Sequence, residues 1–182
     1  GAHAAGRIDI QDFMITAIGA TNYVQALEWS AEVYRHAGMI MANSGRLHGV
    51  ADEGGFWPAF DSNEEAIETL VRAIENAGFT PGQEIAISLD IAASEFGRNG
   101  KYTLAHDNRV LDSDGLSGLL VDWIERYPIV SIEDPLAEDD PEGLTKFTWA
   151  VGRRVQVVGD DFFVTNAERV ADAAGRKACN AL

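Results

Sequence analysis

The order of apolar and polar segments along this chain predicts an α/β fold in which short buried strands alternate with helices. Three observations carry the prediction. Short, mostly apolar runs recur at 84–89 (EIAISL), 129–132 (IVSI) and 155–158 (VQVV), as expected of strands buried on both faces. The stretches between them keep apolar residues at helical spacing. Glycine, proline and capping residues mark the joins. A doubly wound parallel sheet and a closed (β/α) barrel both fit this order.

The elements follow in turn. Residues 9–15 (DIQDFMI) read as a short strand. A helix is expected over 22–41, where Val24, Leu27, Val33, Ala37 and Ile40 are close to helical spacing. Residues 49–51 lead into the loop 52–58 (DEGGFWP). The next helix has the clearest start, with Ser62 as N-cap and Glu65 three residues on, a capping box. Ala66, Ile67, Leu70, Val71 and Ile74 form its buried stripe, and Gly78 ends it. After the strand at 84–89, the turn Asn99-Gly100 introduces a small β excursion over 101–104. Residues 116–126 are helical, with Gly115 and Gly118 weakening the start, and Tyr127-Pro128 break the helix before strand 129–132. A helix over 141–151 carries Pro141 in its first turn. Strand 155–158 is followed by a helix over 166–176, capped by Thr165 or Asn166, and 178–182 opens another strand.

Composition narrows the class. A chain of 182 residues, 46% hydrophobic and 9% aromatic, suits one soluble domain with a core. No apolar run approaches the roughly 20 residues that span a bilayer. The start, Gly1-Ala2-His3, shows no signal-peptide pattern. The single cysteine, Cys179, excludes an internal disulfide and fits a reducing compartment, so a cytoplasmic location is expected. A net charge of −15 argues against a nucleic-acid partner. An anionic protein that handles an anionic substrate must supply local positive charge, and bound metal is one way to do so. Lysine is confined to Lys101, Lys146 and Lys177. The missing initiator Met and the apolar run 179–182, which lacks a terminating turn, give the expectation that both ends are cut.

Three of the predicted strands end in acids. Asp90 follows the first, Glu133 the second, and Asp160 the third after Gly159. In a (β/α) barrel the C-terminal strand ends converge on the catalytic face. Unpaired carboxylates gathered there would repel one another, and a divalent cation with oxygen ligands removes that penalty. Any one of them alone reads as well as an N-cap at a strand-to-helix turn. All three in register favour a metal site.

Six stretches in order resemble one family across nearly the whole chain. They are 9–15, 52–56 (DEGGF), 62–66 (SNEEA), 89–96 (LDIAASEF), 127–135 (YPIVSIEDP), and 159–161 (GDD) followed by 164–166 (VTN). The family is enolase, or phosphopyruvate hydratase. The resemblance implies a partial (β/α)8 TIM barrel, truncated at both ends. Residues 1–182 would form one incomplete catalytic domain, with the N-terminal capping domain and the last barrel strands absent. It implies a lyase of glycolysis that dehydrates 2-phosphoglycerate to phosphoenolpyruvate with Mg²⁺. Asp90, Glu133 and Asp160 would ligate that ion, Glu133 and Asp160 meeting substrate through it. Glu53 would be the acid that helps hydroxide leave, on a loop that Gly54 and Gly55 let move. His3 would contact substrate near the leaving group. Asp12 takes the place of a family glutamate, one methylene shorter, and a displacement of about 1 Å in a positioned group can lower a rate on the order of 100-fold. The full-length parent would be a homo-oligomer, a dimer or an octamer.

Other positions depart from the family: Ala2, Gly6, Ala17, Ala51 and Trp57. His36, His48 and His106 belong to no motif and read as structural or surface residues. The family's lysine base falls a few residues beyond the position of Leu182, with the phosphate-holding cluster later still. The chain alone is therefore expected to be inactive and, with open strand edges, poorly soluble. Two other readings stay open: a paralogue acting on a phosphonate or related acid, and a non-catalytic protein that kept the barrel.

Overall fold

The first strand does not run the way the others do. The computed structural model describes residues 2–3, 5–51, 53–57 and 59–182. In chain order the elements are β1 (Asp12–Thr16), α1 (Tyr23–Asn43), α2 (Asn63–Asn76), β2 (Ala86–Asp90), β3 (Gly97–Arg98), β4 (Lys101–Leu104), β5 (Arg109–Asp112), α3 (Ser113–Arg126), β6 (Ile129–Glu133), α4 (Pro141–Val151), β7 (Gln156–Val158) and α5 (Ala167–Arg176). The main sheet has the order β1-β2-β6-β7. β1 pairs antiparallel with β2, whereas β2–β6 and β6–β7 are parallel.

This corrects the expectation of a wholly parallel sheet with strict alternation. One helix returns a chain to the end where the last strand began, so the next strand runs parallel. Here two helices, α1 and α2, lie between β1 and β2. The second reverses direction once more, and β2 enters from the other end. Each remaining connection in the main sheet carries one α-helix, the β2–β6 connection adding β3, β4 and β5, and their strands are parallel as expected.

Local signals place the helices well. The Asn22 side chain accepts from Gln25 N, Ser62 from Glu65 N and Asp140 from Gly143 N. Asn166, rather than Thr165, caps α5. Glu65 departs from the capping box: its carboxylate accepts from Asp61 N at 2.8 Å, not from the cap residue. Helix α3 starts earlier than expected because Asp112 accepts from Gly115 N at 2.8 Å. The expected strand over 178–182 contributes one parallel bridge, Ala181 to Val158, on the free edge of β7.

The sheet has two unlike faces. Ile87, Leu89, Ile132 and Val157 are buried, and they pack with Ile67 and Ile74 of α2, Leu120 and Trp123 of α3, and Phe147 of α4. The opposite face carries Thr16, Ser88, Ser131 and Gln156, with hydrogen bonds Thr16–Ser88 at 2.9 Å and Ser131–Gln156 at 3.4 Å. Layered this way, the chain forms part of a (β/α) barrel wall: helices on one side, a polar interior on the other.

The predicted excursion is a separate antiparallel sheet, β3-β4-β5. It is fastened to the loop after β6. Tyr102 Oη donates to Asp140 Oδ2 at 2.8 Å and accepts from Ala137 N at 3.1 Å. Asn99 N donates to Asp139, and Glu138 N to Ser94 Oγ. Among the described residues no helix is long and apolar enough to cross a membrane.

Candidate active site

Register lines up the acids. Asp12 is the partner of Asp90 across β1 and β2, Asp90 of Glu133 across β2 and β6, and Glu133 of Val158 across β6 and β7. Directly paired residues share a face, so Asp12, Asp90 and Glu133 form one row on the polar side of the sheet. Asp160 lies two residues past the end of β7, beyond the same row.

The row is electrostatically loaded. Burial, then the Asp12 and Asp134 charges, push Asp90 up to about 6 against the hydrogen bond from Gln11. Gln11 Nε2 donates to Asp90 Oδ2 at 3.0 Å, and Ala92 N donates to Asp90 Oδ1 at 3.0 Å. Glu133 is pushed up to about 7 by burial, then by Asp90, Asp134, Asp160 and Asp12. Hard carboxylate oxygens that raise one another's proton affinity are the donor chemistry that suits a divalent cation such as Mg²⁺.

A tighter cluster forms at one end of the row. His3, Asp12 and Glu53 offer ligand atoms that all lie within 4.8 Å of one another; among the described residues no other such group occurs. The ligand atoms of Asp90, Glu133 and Asp160 do not close to that distance. His3 Nδ1 is 2.6 Å from Asp12 Oδ2, and His3 Nε2 is 3.9 Å from Glu53 Oε1. The Asp12 hydrogen bond raises the proton affinity of His3 above that of a free imidazole. The Glu53 side chain is 73% exposed, so the loop presents it to solvent. Tyr34 Oη holds that loop by donating to Gly54 O at 2.7 Å, and Gly54 itself has φ +88°, the left-handed region. Asp52, the first acid of the pair, lies outside the described residues, as does Pro58.

A cavity of ≈ 490 Å³ opens beneath His3, Gln11 and Asp12, walled by Phe13, Tyr34 and Phe56. Its lining does not reach Asp90, Glu133 or Asp160, which occupy the open polar side.

Two residues with a part in this geometry escaped sequence reasoning. Trp57 Nε1 donates to His3 O at 3.0 Å, and the Arg7 guanidinium lies 5.4 Å over its ring. A position that looked only like a family departure therefore holds the His3 segment. The other is Asp134, 3% exposed, which follows Glu133. Asp134 lies one residue past β6 with φ +40°, so strand alternation does not set its direction and no local pattern marked it.

The other histidines serve the scaffold. His36 Nε2 is 3.1 Å from Glu32, His48 pairs with Arg7, and His106 hydrogen-bonds Phe60 O. No lysine stands at the C-terminal end of a main-sheet strand: Lys101 opens β4, Lys146 lies on α4 and Lys177 caps α5. Compared with known families, residues 1–182 match the family described as enolase, C-terminal TIM barrel domain.

Proposed function

This chain belongs to the enolase C-terminal TIM barrel family, and we propose that it is the catalytic barrel of a Mg²⁺-dependent lyase that dehydrates 2-phosphoglycerate to phosphoenolpyruvate. The single observation supporting this most is the row Asp12, Asp90 and Glu133, in register on the polar face with Asp160 past its end.

In this reading Asp90, Glu133 and Asp160 hold the ion. Bound there, Mg²⁺ supplies the positive charge that makes a second negative charge on the substrate carboxylate tolerable. The chain's own residues divide the remaining work. His3, oriented by Asp12, hydrogen-bonds substrate near C3. Glu53 gives its proton to the hydroxyl on C3, which leaves as water while the C2–C3 double bond forms. Exposure of Glu53 suits that role, because the acid must be reprotonated each cycle. Lys101, Lys146 and Lys177 are all placed away from the row, so none of them is assigned the C2 proton.

The test is calorimetric titration of the protein with Mg²⁺, then with 2-phosphoglycerate in its presence. Saturable Mg²⁺ binding that Asp90→Ala abolishes, and substrate binding that requires the ion, are expected. Mg²⁺ binding indifferent to Asp90→Ala would sink the reading.

A further inference from the structure

One buried aspartate touches the segments that carry Asp90, Glu133 and Asp160. Asp134 follows Glu133 and sits in the left-handed region at φ +40°, which few non-glycine residues adopt. Its own N–H donates to Val158 O at 3.0 Å, tying it to the last residue of β7. Its carbonyl accepts from Ala93 N at 3.1 Å, tying it to the segment after Asp90. Its side chain accepts from three successive amides past β7: Asp160 N at 3.1 Å, Asp161 N at 2.7 Å and Phe162 N at 3.5 Å.

A buried carboxylate with so many oriented donors is an anchor rather than an accident of packing. Desolvating an ionised group is costly, and backbone N–H groups are what compensate it here. The donors also define what is held. Asp160 is exposed and lies on an irregular segment, so no strand ladder fixes its position. The bonds from amides 160–162 to Asp134 tie that segment to the residue after Glu133, beside the turn bonds from Phe163 N and Val164 N to Asp160 O.

We propose that Asp134 is a positioning residue for the divalent-cation site, setting where the Asp160 carboxylate stands relative to Asp90 and Glu133. The inference rests on the assignment of those three acids to the ion. Asp134 touches neither ion nor substrate; it acts through Asp160. Groups that orient metal ligands typically alter metal affinity by about 10–100-fold when replaced.

The experiment measures Mn²⁺ affinity by electron paramagnetic resonance on the full chain and its variants Asp134→Asn, Asp134→Glu and Asp160→Asn. Both Asp134 variants are expected to bind Mn²⁺ about 10–100-fold more weakly, with a retained cooperative melt. Asp134→Glu keeps the charge and changes only the reach, so unchanged affinity in that variant would reduce the effect to charge and overturn the proposal. Unchanged affinity in Asp134→Asn would overturn it as well. Wild-type protein that binds no Mn²⁺, or binds it equally after Asp160→Asn, would instead sink the metal assignment on which the inference rests. Should the Asp134 variants not fold, amide hydrogen exchange in the wild type decides. Protected amides at 160–162 in metal-free protein are expected, and freely exchanging ones would overturn the anchor.

Discussion

Asp90 and Glu133 face each other in register across two parallel strands, on the half-buried polar side of the sheet. Like charges placed directly opposite destabilise a sheet by up to about 1 kcal/mol. Glu133→Gln should therefore raise the melting temperature of metal-free protein by about 1–4 °C at pH 8, while abolishing stabilisation by Mg²⁺. Differential scanning calorimetry with and without Mg²⁺ measures both. A lower metal-free melting temperature in the variant would show that the two charges do not oppose each other.

The same pair sets a pH dependence. Asp90 is raised to about 6 and Glu133 to about 7. A raised carboxylate binds its proton more tightly in the folded than in the unfolded state. Its contribution to stability is full below the unfolded value and is lost as pH rises through the folded one. Metal-free wild type should thus lose stability relative to Glu133→Gln from about pH 4.5 to pH 7. Urea midpoints at intervals across that range test it. A difference that stays flat, or narrows with rising pH, contradicts the assignment.

His3 should report on Asp12. The Asp12 hydrogen bond is the largest influence raising the proton affinity of His3, with further help from Glu53 and Asp90. In Asp12→Asn the imidazole titration, followed by NMR, should move to lower pH. An unmoved midpoint would mean that the 2.6 Å contact does not persist in solution.

Two glycine-to-alanine changes should differ in sign. A Cβ on Gly97 would lie 2.3 Å from the Tyr102 ring and 2.7 Å from Ala93 O. Tyr102 is fully buried and tied to Asp140 and Ala137, so it cannot retreat. Overpacking of that kind costs about 1–3 kcal/mol. Gly118, inside α3, would meet nothing within 4 Å, and alanine there should stabilise by up to about 1 kcal/mol. Chemical denaturation of both variants checks the contrast; equal effects would refute it.

Much of this molecule was legible residue by residue. Ser62 and Asn166 announced their helices because a cap acts on an amide two or three residues away. Pro141 opened α4 for an equally local reason. The acids at 90, 133 and 160 could be placed at strand ends by counting. Trp57 was harder, because its partner His3 is 54 residues away and no local pattern announces an indole's hydrogen bond. The partner of β1 was also hidden: the two helices before β2 were legible, but nothing near residue 12 tells which strand it will pair with.

Alternation and capping, both interactions between near neighbours in the chain, determined that strands and helices would follow one another and that acids would terminate the strands. Whether those acids would meet was a question of register, and only the tertiary structure decided it. Ile87 pairs with Ile129, but Ser88 pairs with Ser131, leaving Val130 without a partner on β2. Without that one-residue slip Asp90 would stand opposite Ile132, because side chains alternate faces along a strand. Pairing between strands some forty residues apart is settled by how both pack against helices, and that information is spread over the whole core.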